Sequence, residues 1–114
     1  MAELRLETRT TDQGIPVIDL DGDVDSYNAH LLKDRMVRLI EGGSSNVLVL
    51  NMRGVEFIDS TGLGALVVGL KRATERGGGI RIICRNEQIL KVFAMTGLVK
   101  VFSIFDDETA ALSG

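Results

Sequence analysis

The chain has 114 residues, of which 45% are hydrophobic and 25% charged, the balance of one globular domain rather than of a disordered segment. Its 13 basic and 16 acidic residues give a net charge of −3, which argues against a nucleic-acid-binding surface, since that requires a basic patch. No apolar run is long enough for a membrane span, the stretch Met1-Ala2-Glu3-Leu4-Arg5 lacks the pattern of a signal peptide, and one cysteine cannot form an internal disulfide. We therefore predict one domain over residues 1–114, in the cytoplasm, with neither membrane nor nucleic acid as a partner.

The first elements form a predicted hairpin that ends in an acidic turn. Apolar and polar residues alternate over Leu4–Thr8, as in an edge strand with one wet face. A turn at Asp12–Gly14 leads into a second strand, Pro16–Leu20. The acidic segment Asp21–Asp25 follows and reads as a turn before the first helix.

A helix and a buried strand come next. Asn28 is the predicted cap of this helix, which Gly42-Gly43 ends and whose apolar stripe is Ala29, Leu32, Met36, Leu39 and Ile40. Val47–Leu50 is a continuous apolar run, typical of a strand that is covered on both faces.

The second half repeats the alternation of helix and strand. A second helix begins at Ser60 and ends at Gly77–Gly79, with a predicted inner face of Leu63, Leu66, Val67, Leu70 and Thr74. Then come a strand, Ile80–Cys84, and a short helix capped by Asn86 with Ile89, Val92 and Phe93 inward. A fifth strand, Val101–Ile104, and a last helix opened by Asp106 complete an α/β fold with a mixed, mostly parallel sheet, an N-terminal edge-strand hairpin and about four helices.

The segment Asp59-Ser60-Thr61-Gly62-Leu63-Gly64 is the part of the sequence that most suggests chemistry. It places a small hydroxyl beside a carboxylate at the start of a helix. Such a start has free N–H groups and a partial positive charge, and it suits a phosphate or another anion. The simplest interpretation is that Ser60 is a helix N-cap.

The residues that other kinds of site require are missing. A dinucleotide-binding loop needs a third glycine at position 67, which is Val67, and a nucleophile elbow needs a glycine at position 58, which is Ile58. The single histidine, His30, is predicted to be solvated on the first turn of the first helix, and Cys84 to be a small core residue. One histidine and one cysteine cannot supply a zinc site, so we expect no metal and no cofactor.

The acidic turn supplies a second feature. Loops that follow parallel strands meet at the carboxyl edge of a sheet, where such folds place their sites. Asp25 and Asp59 are then expected to flank Ser60. A helix cap needs no such neighbours.

These residues resemble the anti-sigma factor antagonists, which are single-domain bacterial members of the STAS family. The resemblance covers about Leu4 to Leu112 and centres on the Asp59–Gly64 motif, preceded by Asn51–Ile58. It extends to three flanking patterns: Gly22-Asp23-Val24-Asp25, Leu70-Lys71-Arg72, and Ile89-Leu90-Lys91-Val92-Phe93 with Thr96-Gly97-Leu98.

The resemblance implies a regulatory binding protein, not an enzyme. It implies that Ser60 is phosphorylated by a partner that is both a serine kinase and an anti-sigma factor, and that a phosphatase of the PP2C type resets the protein. In the unphosphorylated state the protein would bind that partner and free the sigma factor. It also implies that Asp25 and Asp59 lie around the phosphorylation site. The predicted partner-binding residues are Asp23, Asp25, Asp59, Ser60, Thr61, Gly62 and Gly64. We expect a monomer, because no long exposed apolar stripe is predicted.

Three alternatives remain open at this point. The chain could be a STAS subunit of a transporter or sensory complex in which Ser60 is structural. It could be a small serine hydrolase, although the sequence offers no base for such an enzyme. Thr61 and Ser26 are competing phosphoacceptors.

Overall fold

The computed structural model describes residues 3–114; Met1 and Ala2 of the predicted domain and N-terminal segment lie outside the described residues. The elements in chain order are β1 (Arg5–Thr10), β2 (Pro16–Val24), α1 (Ala29–Gly42), β3 (Val47–Ile58), α2 (Ser60–Glu75), β4 (Gly79–Ile83), α3 (Glu87–Met95), β5 (Ser103–Phe105) and α4 (Glu108–Ser113). A single 3₁₀ turn, Leu98–Lys100, separates α3 from β5.

The five strands form one sheet whose spatial order follows the sequence, β1-β2-β3-β4-β5. β1 pairs antiparallel with β2, and the remaining pairs are parallel. From β2 to β5, each parallel strand is added on the same side of the previous one. Right-handed connections between such strands place their helices on one face of the sheet, and α1, α2 and α3 all lie on that face. The predicted α/β fold, with its N-terminal hairpin, mostly parallel sheet and four helices, is confirmed.

The core lies on both sides of the sheet. Leu48 and Leu50 of β3 join the large cluster under α1, α2 and α3, while Val49 packs with Ala111 of α4 on the other face. All three β3 side chains are buried. This arrangement confirms that the Val47–Leu50 run is covered on both faces.

The two central strands are longer than the sequence predicts. The acidic segment that reads as a turn is part of β2, and Asp21–Val24 pairs with residues 54–58 of β3. The pairing contains two register shifts, and Gly54 lies at the first, where a Cβ would come within 2.9 Å of the backbone oxygen of Leu20. The prediction of a turn was therefore wrong.

The buried face of α2 also differs from the prediction. Its buried residues are mostly small: Gly62, Ala65, Leu66, Gly69 and Ala73. Gly69 allows the close approach of α1, because a Cβ there would lie 2.1 Å from Met36 Cε. The predicted inner residue Val67 is 40% exposed, since small residues rather than large ones form the seam between the two helices.

Several element ends shift by a few residues. β1 and β4 span Arg5–Thr10 and Gly79–Ile83 rather than the predicted ranges. β5 begins at Ser103, since the amides of Val101 and Phe102 both donate to Leu98 O of the 3₁₀ turn rather than to a neighbouring strand. The cap of α4 is Asp107, whose Oδ1 accepts a hydrogen bond from Ala110 N at 2.8 Å, so Asp106 precedes the cap.

No helix within residues 3–114 combines the length and the apolar character that crossing a bilayer requires.

Arg9 joins the hairpin to the last helix. Its Nε lies 2.7 Å from Asp19 Oδ2, and its guanidinium also pairs with Glu108 of α4. These hydrogen bonds hold the pKa values of both carboxyls below their ordinary values of 3.8 and 4.5. A carboxyl whose pKa is lower in the folded than in the unfolded state stabilises the fold at any pH above its unfolded-state pKa. This stabilisation is lost as the pH falls through the folded-state pKa.

We expect Arg9→Ala to lower the free energy of unfolding at pH 7, because it removes both ion pairs. The loss should be only about 1 kcal/mol, because these part-exposed pairs are screened by solvent. The difference from wild type should shrink as the pH falls below about 4, where the carboxyls become protonated. Urea denaturation at several pH values measures it. Arg5→Ala on the same strand is the control, and an equal effect of both substitutions would contradict a specific role for Arg9.

Candidate functional site

Two loops meet at the carboxyl edge of the sheet, where β2 and β3 end. The amide of Asp59 donates to the carbonyl oxygen of Val24 at 3.1 Å. The amide of Ser26 donates to Asp59 Oδ2, also at 3.1 Å. The loop after β2 and the start of α2 are thus held together, as the sequence predicted for the segments that carry Asp25 and Asp59.

Asp59, not Ser60, caps α2. Asp59 has an extended backbone, and its Oδ1 accepts a hydrogen bond from Gly62 N at 2.9 Å. Its second carboxylate oxygen binds the Ser26 amide, so one side chain both caps the helix and fixes the neighbouring loop. The interpretation of Ser60 as the N-cap was wrong by one residue: Ser60 is the first residue of the helix.

The Ser60 hydroxyl is left available to solvent. Ser60 is exposed, and within residues 3–114 its hydroxyl makes no hydrogen bond. The amides of Ser60 and Thr61 begin the 16-residue helix, where N–H groups have no intrahelical partner. The hydroxyl therefore lies at the positive end of the helix dipole, and it does not cap the helix.

The two glycines of the motif have different surroundings. Gly62 is buried, and a Cβ on it would lie 2.7 Å from Ile58 Cγ1 and 2.8 Å from Val24 Cγ1. Gly64 is exposed, and a Cβ on it would meet nothing within 4 Å. The packing therefore disfavours a side chain at Gly62 and leaves room for one at Gly64.

The loop after β2 is held by the side chain of Asn28. Its Oδ1 accepts from the amide of Asp25 and its Nδ2 donates to the carbonyl of Asp23, both at 2.9 Å. Asn28 is the N-cap residue of α1, as predicted, but its side chain makes no capping hydrogen bond because it binds the end of β2 instead. An Asx residue three positions after an aspartate at a strand end is a signal that could have indicated this role.

The acidic side chains differ in exposure. Asp23 and Asp25 are 7% and 8% exposed, whereas Asp59 is half-buried. Asp25 Oδ1 accepts from Tyr27 N at 2.9 Å and so shapes the loop from inside. Any negative charge added to Ser60 would lie next to the carboxylate of Asp59 and close to the loop that contains Asp25.

The remaining polar candidates lie elsewhere. His30 is exposed on the first turn of α1, as predicted. Cys84 is fully buried in the core, also as predicted, and burial raises the pKa of its thiol. Within the described part of the chain, no group of three or more histidine, cysteine or acidic residues could hold a metal ion.

Comparison with known proteins agrees with this geometry. A family model described as the STAS domain matches residues 7–111. The anti-sigma-B factor antagonist of Bacillus subtilis (strain 168) is 31% identical over 87 residues, which cover 76% of this chain and 78% of that protein. This chain belongs to the STAS family of anti-sigma factor antagonists.

Two solved structures share the fold of this STAS domain. An anti-sigma factor antagonist from Mycobacterium paratuberculosis superimposes with a TM-score of 0.87 at 23% identity, over 97% of this chain and 92% of its own. The phosphorylated form of the Bacillus cell fate determinant SpoIIAA has a TM-score of 0.73 at 20% identity, over 93% of this chain and 96% of its own. At these identities the likeness establishes the fold.

Proposed function

We propose that this STAS protein captures an anti-sigma factor while Ser60 is unphosphorylated, and thereby releases a sigma factor. The partner is also a serine kinase, and its transfer of phosphate to Ser60 ends the capture. The observation that carries the proposal is the solvent-exposed Ser60 hydroxyl, which has no hydrogen bond within residues 3–114 because Asp59 already caps the helix. The names of curated relatives, such as the Bacillus subtilis anti-sigma-B factor antagonist, support the class of partner.

Phosphate at Ser60 changes the surface without unfolding the domain. It adds nearly two negative charges and three acceptor oxygens, which the free amides at the start of α2 accommodate. The fold likeness to the phosphorylated SpoIIAA supports retention of the architecture. A partner surface that fits a small neutral hydroxyl would instead meet a bulky dianion beside the carboxylate of Asp59, and it would dissociate.

The contact residues divide by exposure. Ser60, Thr61 and Gly64 are exposed and are proposed to touch the partner directly. The buried side chains of Asp23 and Asp25 are proposed to shape the loop, while buried Gly62 and half-buried Asp59 set the start of α2.

The chemistry of the switch comes from the partners. The kinase must bring the nucleotide, the magnesium ion and the groups that position the serine hydroxyl. A PP2C-type phosphatase is proposed to remove the phosphate. In this scheme the STAS protein is a substrate and a binding partner, and it needs neither a cofactor nor catalytic residues of its own.

Phosphate mapping tests the proposal. The purified chain is incubated with ATP and each candidate anti-sigma factor kinase, and the product is analysed by peptide mass spectrometry. We expect one phosphate, on Ser60, and none on the Ser60→Ala variant. Thr61→Ala and Ser26→Ala should be phosphorylated like wild type, since neither removes the acceptor. Phosphate on Thr61 or Ser26 in place of Ser60 would overturn the assignment.

A further inference from the structure

Tyr27 is the most exposed large hydrophobic side chain among the described residues, at 86% of its possible surface. A tyrosine one residue before a helix cap often packs against the fourth helical residue as a hydrophobic staple, which here would be Leu32. Leu32 is fully buried without it, and the Tyr27 ring extends into solvent. Packing within the domain therefore does not explain an aromatic residue at this position.

The backbone beneath Tyr27 is held firmly. Its amide donates to Asp25 Oδ1 at 2.9 Å, and the Asn28 side chain bridges the residues on either side of Val24. The preceding residue, Ser26, donates its amide to the Asp59 carboxylate at 3.1 Å. A ring carried on such a loop loses little backbone entropy when a partner binds it.

The position of the ring connects it to the phosphoacceptor. Ser26 and Asp59 are hydrogen-bonded, and each is the immediate neighbour of one of the two exposed residues, Tyr27 and Ser60. A partner surface that covers the Ser60 hydroxyl and extends across the Ser26–Asp59 hydrogen bond reaches the loop that carries the ring. Aromatic side chains that become fully desolvated near the centre of an interface are typical hot spots.

We propose that Tyr27 is an aromatic anchor, whose ring enters a pocket of the same anti-sigma factor that covers Ser60. This inference rests on the proposed function for the identity of the partner. An apolar pocket suits this occupant, because an aromatic ring gains free energy when its apolar surface leaves water. The Asp25–Asn28 bonds position the anchor rather than touch the partner.

The experiment uses the anti-sigma factor kinase that phosphorylates Ser60, in the presence of ADP so that no phosphate is transferred. Isothermal titration compares the wild-type chain with Tyr27→Ala, Tyr27→Phe and the control Met95→Ala. Met95 is 76% exposed, but it ends α3, which begins at the edge of the sheet that carries the site and runs away from it. Tyr27→Ala should weaken binding at least tenfold, about 1.4 kcal/mol, whereas Tyr27→Phe should retain most of the affinity and Met95→Ala all of it.

A spectroscopic readout reports the ring itself. Tyr27 is the only tyrosine in the chain, so labelling with 3-fluorotyrosine gives a single ¹⁹F resonance. That resonance should shift and broaden on titration with the unlabelled partner. If wild type binds while the resonance is unchanged and Tyr27→Ala binds equally well, the anchor is overturned and the proposed function is unaffected. If wild type does not bind the kinase, the proposed function fails, and the anchor fails with it.

Discussion

Ser60→Asp should lower the affinity for the anti-sigma factor by about 100-fold or more, which corresponds to roughly 2.7 kcal/mol or more. The substitution adds a negative charge to an exposed position next to the Asp59 carboxylate, and a partner would have to desolvate both charges together. Isothermal titration of the two purified proteins measures the change. The fold should survive, because an acidic residue in the first turn of a helix is favourable and the exposed hydroxyl that it replaces makes no hydrogen bond within residues 3–114.

Ser44→Asp is the matched control for charge. Ser44 is exposed in the loop between α1 and β3, at the end of the sheet opposite to Ser60. The Ser44→Asp variant should bind the partner like wild type, so that any loss of affinity in Ser60→Asp depends on the position of the charge. Equal binding by wild type and Ser60→Asp would contradict the switch and would favour a STAS subunit of a transporter or sensory complex, in which Ser60 is structural.

Alanine at the two motif glycines should change stability in opposite directions. Gly62→Ala should lower the free energy of unfolding by about 1–2 kcal/mol, because its methyl group must displace the buried side chains of Ile58 and Val24. Gly64→Ala should raise it by about 0.5–1 kcal/mol, since a Cβ there meets nothing and alanine favours the helix. Urea denaturation of the two variants and wild type gives both values.

The same pair separates a structural glycine from an interface glycine. Gly64 is one turn after Ser60 on the same exposed side of α2, so the partner that covers the hydroxyl should also approach Gly64 closely. Gly64→Ala is therefore expected to weaken binding although it stabilises the free protein, and Gly64→Gln should weaken binding further. A Gly64→Ala variant that is more stable and binds as tightly as wild type would show that the partner does not contact this glycine.

Local signals in the sequence predicted one helix cap and one buried helix face correctly. Asn86 was predicted to cap α3, and its Oδ1 accepts hydrogen bonds from Gln88 N and Ile89 N within the same turn. The apolar stripe of α1 likewise predicted its buried residues Ala29, Leu32, Met36 and Ile40. The position of the α2 cap was wrong by one residue because serine and aspartate are both good caps, and the backbone angles that select Asp59 are not visible in the sequence.

By itself, the sequence determined the α/β class, the N-terminal hairpin and the place of Ser60 at the start of a helix, because hydrophobic periodicity and turn residues act over a few positions. The tertiary structure alone decided which side chain caps that helix, which face of α2 is buried and how the two loops meet. The Ser26–Asp59 hydrogen bond joins residues 33 positions apart, and the small residues of α2 are buried only because α1 packs against them. Tyr27 shows the same division: the sequence shows that a tyrosine is present, but only the structure shows that it is 86% exposed and that its loop is hydrogen-bonded to Asp59.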